Sequence, residues 1–348
     1  MKTSLFRIVV LTLAAAACAG AQPSDSLRLP SERHLQNIRQ LTFAGENAEA
    51  YLSCDESKLV FQSTRPPYKC DQIFTMTTAG DDVRLVSSGT GRTTCAYYLP
   101  GDTTILYAST YLASPDCPPP PDFSKGYIWA LYHGYDIFVS NFAGTSVRRL
   151  TTTDGYDAEA TISPLGDRIV FTSVRNGDLD IYTMNLDGTD VRQLTHEPGY
   201  DGGAFFSPDG KQIVYRGFHP TDSTKLAQYR ELLAEGFVRP SVMEIMVMDA
   251  DGGNKRQITH ANAASFAPYF HPDGKHIIFS SNMKDPKGRN FDLFMINVDG
   301  TGLEQITFND TFDGFPMFTR DGKRLIFESN RNARTKGDTN IFTADWIP

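Results

Sequence analysis

The chain has 348 residues, 40% of them hydrophobic and 21% charged, a globular rather than a disordered composition. That length fits one large closed all-β domain, which routinely exceeds the usual domain size. The formal net charge of −8 lacks the basic footprint that neutralises phosphate backbones, so nucleic acid is excluded as an expected partner.

The first 21 residues read as an export leader. Lys2 and Arg7 precede an apolar run from Ile8 to Ala17, only ten residues long, where a bilayer span needs about 20. Two exits follow. Ala19-Gly20-Ala21 before Gln22 has the small-x-small form of a signal-peptidase site. Ala15-Ala16-Ala17-Cys18 is similar to a bacterial lipobox, which ends the leader at residue 17 and leaves Cys18 lipidated. Either exit predicts an exported protein, periplasmic or attached to the outer membrane of a bacterium, with membrane contact only through a lipid on Cys18. Residues 22–36 are polar up to Ser31 and read as a tether. Residues 37–348 read as one domain.

A repeat then dominates the chain. Arg39-Gln40-Leu41-Thr42 returns as Arg149-Leu150-Thr151, Arg192-Gln193-Leu194-Thr195, Arg256-Gln257-Ile258-Thr259 and Glu304-Gln305-Ile306-Thr307, with Val83-Arg84-Leu85 as a worn copy. The marker residues fall at 41, 85, 150, 194, 258 and 306, a base period of 44 with two longer intervals. That period lies in the range of propeller blades. Inside each unit sits a turn, clearest in Ser207-Pro208-Asp209-Gly210-Lys211 and His271-Pro272-Asp273-Gly274-Lys275. Proline fixes φ and glycine tolerates positive φ, so the turn joins two antiparallel strands. An apolar strand follows, as in Arg168-Ile169-Val170-Phe171, and then a third, as in Asp180-Ile181-Tyr182. Near-continuous apolar runs suit strands covered on both faces. Asp187-Gly188, Asp251-Gly252 and Asp299-Gly300 mark hairpins into the fourth strand.

This pattern, six times in register over residues 37 to 346, resembles the WD-like repeat of TolB-type propellers. The resemblance implies an all-β, six-bladed propeller. The chain opens on a fourth strand (38–42) and closes after a third (341–345), so the N-terminal strand is expected to complete the last blade. TolB itself carries an α/β domain ahead of its propeller. Here about 15–20 residues separate the leader from the first strand, fewer than a domain needs, so that domain is expected to be lacking.

Two insertions interrupt the period. Residues 112–134 hold Cys117, Pro118 to Pro121 and an aromatic stretch from Tyr127 to Tyr132, expected as a cap over blade 2 or as a binding surface. Residues 219–241 predict one helix in blade 4. Asp222 or Ser223 caps its start, Gly236 ends it, and Leu226, Tyr229 and Leu233 form its apolar stripe. The strand order places Cys70, Cys95 and Cys117 on one rim and Cys54 on the other. One disulfide is expected among the first three, with Cys70–Cys95 preferred.

No Gly-x-Ser-x-Gly elbow, His-Glu-x-x-His helix or phosphate-binding loop is present. The candidate site is the channel mouth. Asn47, Glu49, Asp157, Glu159, Asp201 and Asp313 are read as matching positions before the first strands. Arg65, Arg175, His219 and Arg331 match just beyond the second strands. They form either ion pairs tying neighbouring blades or a pocket for a polar peptide or sugar. The resemblance implies a non-catalytic envelope platform binding protein or peptide through its rim loops, as TolB does. As an alternative it implies a carbohydrate-active enzyme similar to oligogalacturonate lyase, or another enzyme with a polar or metal site at the channel mouth; such lyases are described as metal-dependent with histidine ligands. His196, His219 and His260 are the candidate ligands on that alternative. The leading expectation is a monomer without cofactor.

Overall fold

The computed structural model describes residues 24–144, 147–286 and 288–348. The leader and Cys18 lie outside the described residues. Six four-stranded antiparallel sheets follow one another around a ring. Blade 1 comprises Glu46–Leu52, Lys58–Thr64, Gln72–Thr77 and Arg84–Leu85. Blade 2 comprises Thr93–Tyr98, Thr104–Ser109, Asp136–Asn141 and Val147–Arg149. Blade 3 runs from Asp157–Ile162 through Arg168–Ser173 and Asp180–Asn185 to Arg192–Gln193. Blade 4 has Tyr200–Phe206, Gln212–Phe218, Glu244–Asp249 and Arg256–Gln257. Blade 5 has Ser265–Phe270, His276–Ser281, Asp292–Asn297 and Glu304–Gln305.

Blade 6 closes the ring as the repeat requires. Asp313–Phe318, Arg324–Ser329 and Asn340–Trp346 are completed by Leu35–Gln40 from the start of the domain. Leu35 pairs with Trp346 and Gln40 with Phe342. Leu35, Ile38 and Leu41 are buried against blades 5, 6 and 1. Within residues 22–36, Glu32 is fully buried and both its oxygens bond Arg331 of blade 6, at 2.8 and 3.1 Å.

The signature threonine has a physical task. In blade 3 Thr195 Oγ accepts the Ile181 N–H (2.9 Å) and donates to Asp180 (3.0 Å). Thr42 repeats both bonds with Ile341 and Asn340 across the closure, and Thr151 and Thr259 repeat them in blades 2 and 4. The turn signature is equally concrete: Ser207 Oγ donates to Asp209 (2.7 Å) and accepts the Gln212 N–H (2.9 Å).

The inserted helix spans Ser223–Ala234 with Asp222 as its cap, accepting the Lys225 N–H, and Gly236 follows at φ 79°. Tyr229 is buried, and Leu226 and Leu233 pack beside it, as the stripe predicts. Among the described residues no helix is long and apolar enough to cross a membrane.

The disulfide is Cys70–Cys117, with Cα atoms 5.9 Å apart, and this corrects the Cys70–Cys95 preference. Cys95 lies within the innermost strand of blade 2 rather than in a rim loop, and its thiol faces the channel. Cys54 stays free in its turn, as its placement on the other rim predicts.

Deleting residues 35–42 removes three buried apolar side chains worth about 1.5–3 kcal/mol each and exposes the edge of Asn340–Trp346. That loss rivals the about 5–15 kcal/mol that holds a domain together. The truncated chain is expected to lose its cooperative melt by circular dichroism. A transition at the full-length temperature would refute closure by this strand.

Candidate functional site at the capped channel mouth

Every innermost strand breaks register at the same point, between Ala48 and Tyr51 in blade 1 and between Ala158 and Thr161 in blade 3. The residue after the break has positive φ in all six blades: Glu49 (55°), Cys95 (53°), Glu159 (55°), Gly203 (60°), Ala267 (49°) and Phe315 (49°). An extra residue in a strand bends it and re-aims a side chain, and a non-glycine residue held this way stores about 1–3 kcal/mol. These six residues line the central channel. The ring is polar across blades 1 to 3 and apolar or bare across blades 4 to 6.

Arg216 of blade 4 fills the gap that Gly203 leaves. A Cβ on Gly203 would lie 2.4 Å from Arg216 Nη1. The buried guanidinium pairs with Glu159 of blade 3 and donates to the Tyr200 hydroxyl at 2.8 Å. Glu159 also accepts from Thr172 (2.8 Å) and from the Gly203 N–H (2.9 Å). With every partner supplied, the pair fastens blade 3 to blade 4 and closes the channel. The cavity left beside Glu49, Cys95 and Glu159 is about 30 Å³, room for about one water molecule. Burial, with the Glu159 carboxylate adding to it, pushes Glu49 up to about 7, while a hydrogen bond with Cys95 works against the rise.

The acids predicted to share one position occupy two, and they lie inside the innermost strands rather than before them. Asn47, Asp157, Asp201 and Asp313 sit two residues ahead of the channel ring. Each meets the cation of its own blade: Arg65 Nη2 to Asn47 at 2.6 Å, Arg175 to Asp157 at 3.0 Å, His219 to Asp201 at 2.9 Å and Arg331 to Asp313 at 2.9 Å. The arginines also stack on their blade's aromatic residues, Arg65 4.8 Å from the Phe74 ring centre and Arg175 4.9 Å from that of Tyr182. These pairs therefore join strands one and two of single blades, not neighbouring blades as expected. At His219 burial works against the charge and the Asp201 carboxylate overcomes it, so its pKa is raised.

His196, His219 and His260 share no partner. His219 is bound to Asp201, His260 Nδ1 meets Gln257 at 2.9 Å, and His196 is exposed.

Above the ring lies a cap that neither insertion announces alone. Trp129–Ala130 of the blade 2 insertion pairs antiparallel with Phe237–Val238 of the blade 4 insertion. The Trp129 ring lies 5.0 Å over Arg216 and meets Phe266 of blade 5 edge-on at 6.4 Å. Tyr229 of the helix donates to the Gly199 carbonyl at 2.7 Å. The disulfide ties the blade 2 insertion to blade 1. On the outer side Phe123 and Tyr127 remain 57% and 50% exposed, and Arg289 stacks on Tyr127 at 5.0 Å. A larger depression of about 510 Å³ lies elsewhere, between blades 6 and 1, lined by turn residues such as Asp321 and Lys323.

The six-sheet ring defines the class: a six-bladed β-propeller. Residues 121–238, across blades 2 to 4, match the family described as TolB beta propeller domain. A TolB-type protein of Agrobacterium tumefaciens is similar over 87% of this chain and 91% of its own, at 17% identity and a TM-score of 0.56. TolB of Acinetobacter baumannii is similar at 18% identity and a TM-score of 0.52, over 74% of this chain but 53% of its own length. An oligogalacturonate lyase of Vibrio parahaemolyticus is similar at 11% identity and a TM-score of 0.51, covering 91% and 95%. At these identities the likeness is one of fold. Comparison with curated protein sequences gives no match.

Glu49 supplies a pH test. Its folded pKa is pushed up to about 7 from the ordinary glutamate value of 4.5. A raised acid stabilises below the unfolded pKa, and that contribution is lost as pH rises through the folded one. The native protein should therefore lose about 2–3 kcal/mol between pH 4.5 and 7 on this account. Glu49→Gln is expected to match wild type in urea unfolding at pH 4 and to exceed it by that amount at pH 8. Equal stability at both pH values would mean that Glu49 ionises without cost.

Proposed function

We propose that this protein is a non-catalytic binding platform of the bacterial envelope that takes a protein or peptide on its capped rim. The ribbon between the two insertions carries this reading. It fixes a rigid surface over the mouth and leaves Phe123 and Tyr127 outward beside Arg289. Aromatic residues and arginine on a fixed frame make good anchors for a partner chain. Beneath the cap, a cavity of about 30 Å³ leaves no room for a sugar ring, which disfavours the lyase-like alternative. The leader sequence supports export, and the disulfide suits an oxidising compartment. The channel-mouth pairs of Asp157 with Arg175 and Asp313 with Arg331 support the rim, although Asp157 Oδ2 and Asp313 Oδ1 are buried without a hydrogen-bond partner.

A photo-crosslinker at position 124, between the two aromatic anchors, tests the reading in intact envelopes. One defined partner band is expected. Phe123→Asp and Tyr127→Asp should each weaken binding of that partner about 10–30-fold. An unchanged band in both variants, or cleavage of a polysaccharide by the purified chain, would overturn the proposal.

A further inference from the structure

The turn between the first and second strands has the same frame in every blade. The residue before it donates its N–H to the carbonyl of the residue after it, from Ser53 to Lys58, Leu99 to Thr104, Ser163 to Arg168, Ser207 to Gln212, His271 to His276 and Thr319 to Arg324, at 2.8–3.0 Å. Blade 5 alone places an imidazole at both positions, flanking Asp273. We propose that His271, Asp273 and His276 form a binding site for a divalent transition cation of the zinc class, on the rim opposite the cap.

The geometry is that of a ligand set. Asp273 Oδ1 is held by the backbone N–H groups of Lys275 (2.7 Å) and His276 (3.2 Å), which leaves Oδ2 to face the two rings. His276 Nδ1 lies 2.6 Å and His271 Nδ1 3.1 Å from that oxygen. His271 Nδ1 also lies 3.2 Å from the Asp273 N–H, a contact that coordination of a cation would replace. Two ring nitrogens and a carboxylate oxygen thus face one small space, where a cation would meet all three. The three donor atoms lie within 4.8 Å of one another. A tetrahedral zinc ion with bonds of about 2.0–2.1 Å sets its ligands about 3.3 Å apart. The partly exposed His276 would move outward by about 0.7 Å from Asp273 to meet that spacing.

The support around the set is firm on one side and open on the other. The His271 ring is fixed edge-on against Phe318 at 4.6 Å and leans on Trp346 at 6.3 Å, while the Asp273 and His276 side chains are 33% and 38% exposed. Two imidazoles and one carboxylate suit zinc, copper or nickel rather than calcium or magnesium, and leave a position for water. The position in the fold matters too: this site lies on the turn rim, away from the channel mouth and from His196, His219 and His260.

The test uses the untagged purified chain. One equivalent of Zn²⁺ is expected to bind in calorimetry, and Cu²⁺ is expected to quench Trp346 fluorescence. The double variant His271→Ser, His276→Gln installs the residues that the same turn carries in blade 4, and so should fold with an unchanged circular dichroism spectrum. Its Zn²⁺ affinity should fall by more than the roughly 10–100-fold that losing a supporting partner costs, and its Cu²⁺ quenching should fall with it. Asp273→Asn should weaken Zn²⁺ in the same way. His196→Ala and His260→Ala should leave both readouts intact. Zn²⁺ binding at wild-type affinity in the double variant, or no binding by the wild-type chain, would overturn the site.

Discussion

In blades 1 to 5 the outermost strand pairs with its neighbour through only two or three residues. A ladder that short holds weakly, and the hydroxyl after it supplies what the ladder lacks. The threonine accepts a buried backbone N–H of the third strand and donates to the acid or amide that opens that strand, so two groups that burial would leave unpaired are satisfied at once. The bond draws the outer edge of each blade inward and keeps the following loop on course to the next innermost strand. At Thr42 the same bond joins the two ends of the domain, which are 298 residues apart at Asn340. Ring closure is therefore one more copy of the threonine contact made in blades 2, 3 and 4.

Closure leaves the protein with a rigid annulus and a central channel, and the chain spends the polar chemistry of that channel on itself. The arginines beyond the second strands sit on aromatic rings and against an acid or amide of their own blades. Arg216 reaches across to Glu159 and seals the opening that a glycine provides. Such pairs are costly to bury and costly to break, which makes the annulus specific rather than adaptable. Variation is left to the two insertions and to the turns. The insertions meet in a ribbon over blade 3 and put aromatic side chains outward. One turn, in blade 5, carries two imidazoles where the others carry hydroxyl, basic, amide or aliphatic groups.

By itself the sequence determined the period, the four-strand unit, the ring closure and the inserted helix. Each rests on contacts between residues close in sequence or on a repeat that states its own length. Turn chemistry at Pro208-Asp209-Gly210, the cap at Asp222 and the Tyr229 stripe all act within a few residues of one another, so they are visible before folding. Only the tertiary structure decided the rest. Cys95 looked like a rim residue until the register break turned it to the channel, because a single extra residue in a strand reverses which way a side chain faces. The acids Glu49 and Asp157 looked equivalent for the same reason. The pairing of Trp129–Ala130 with Phe237–Val238 joins segments more than a hundred residues apart, and the choice of Cys117 for Cys70 follows from where that insertion folds. His271 and His276 were legible as two histidines in one turn, but not as ligands. Whether lone pairs converge on Asp273 is set by strand pairing and by the Phe318 and Trp346 rings, which arrive from blade 6.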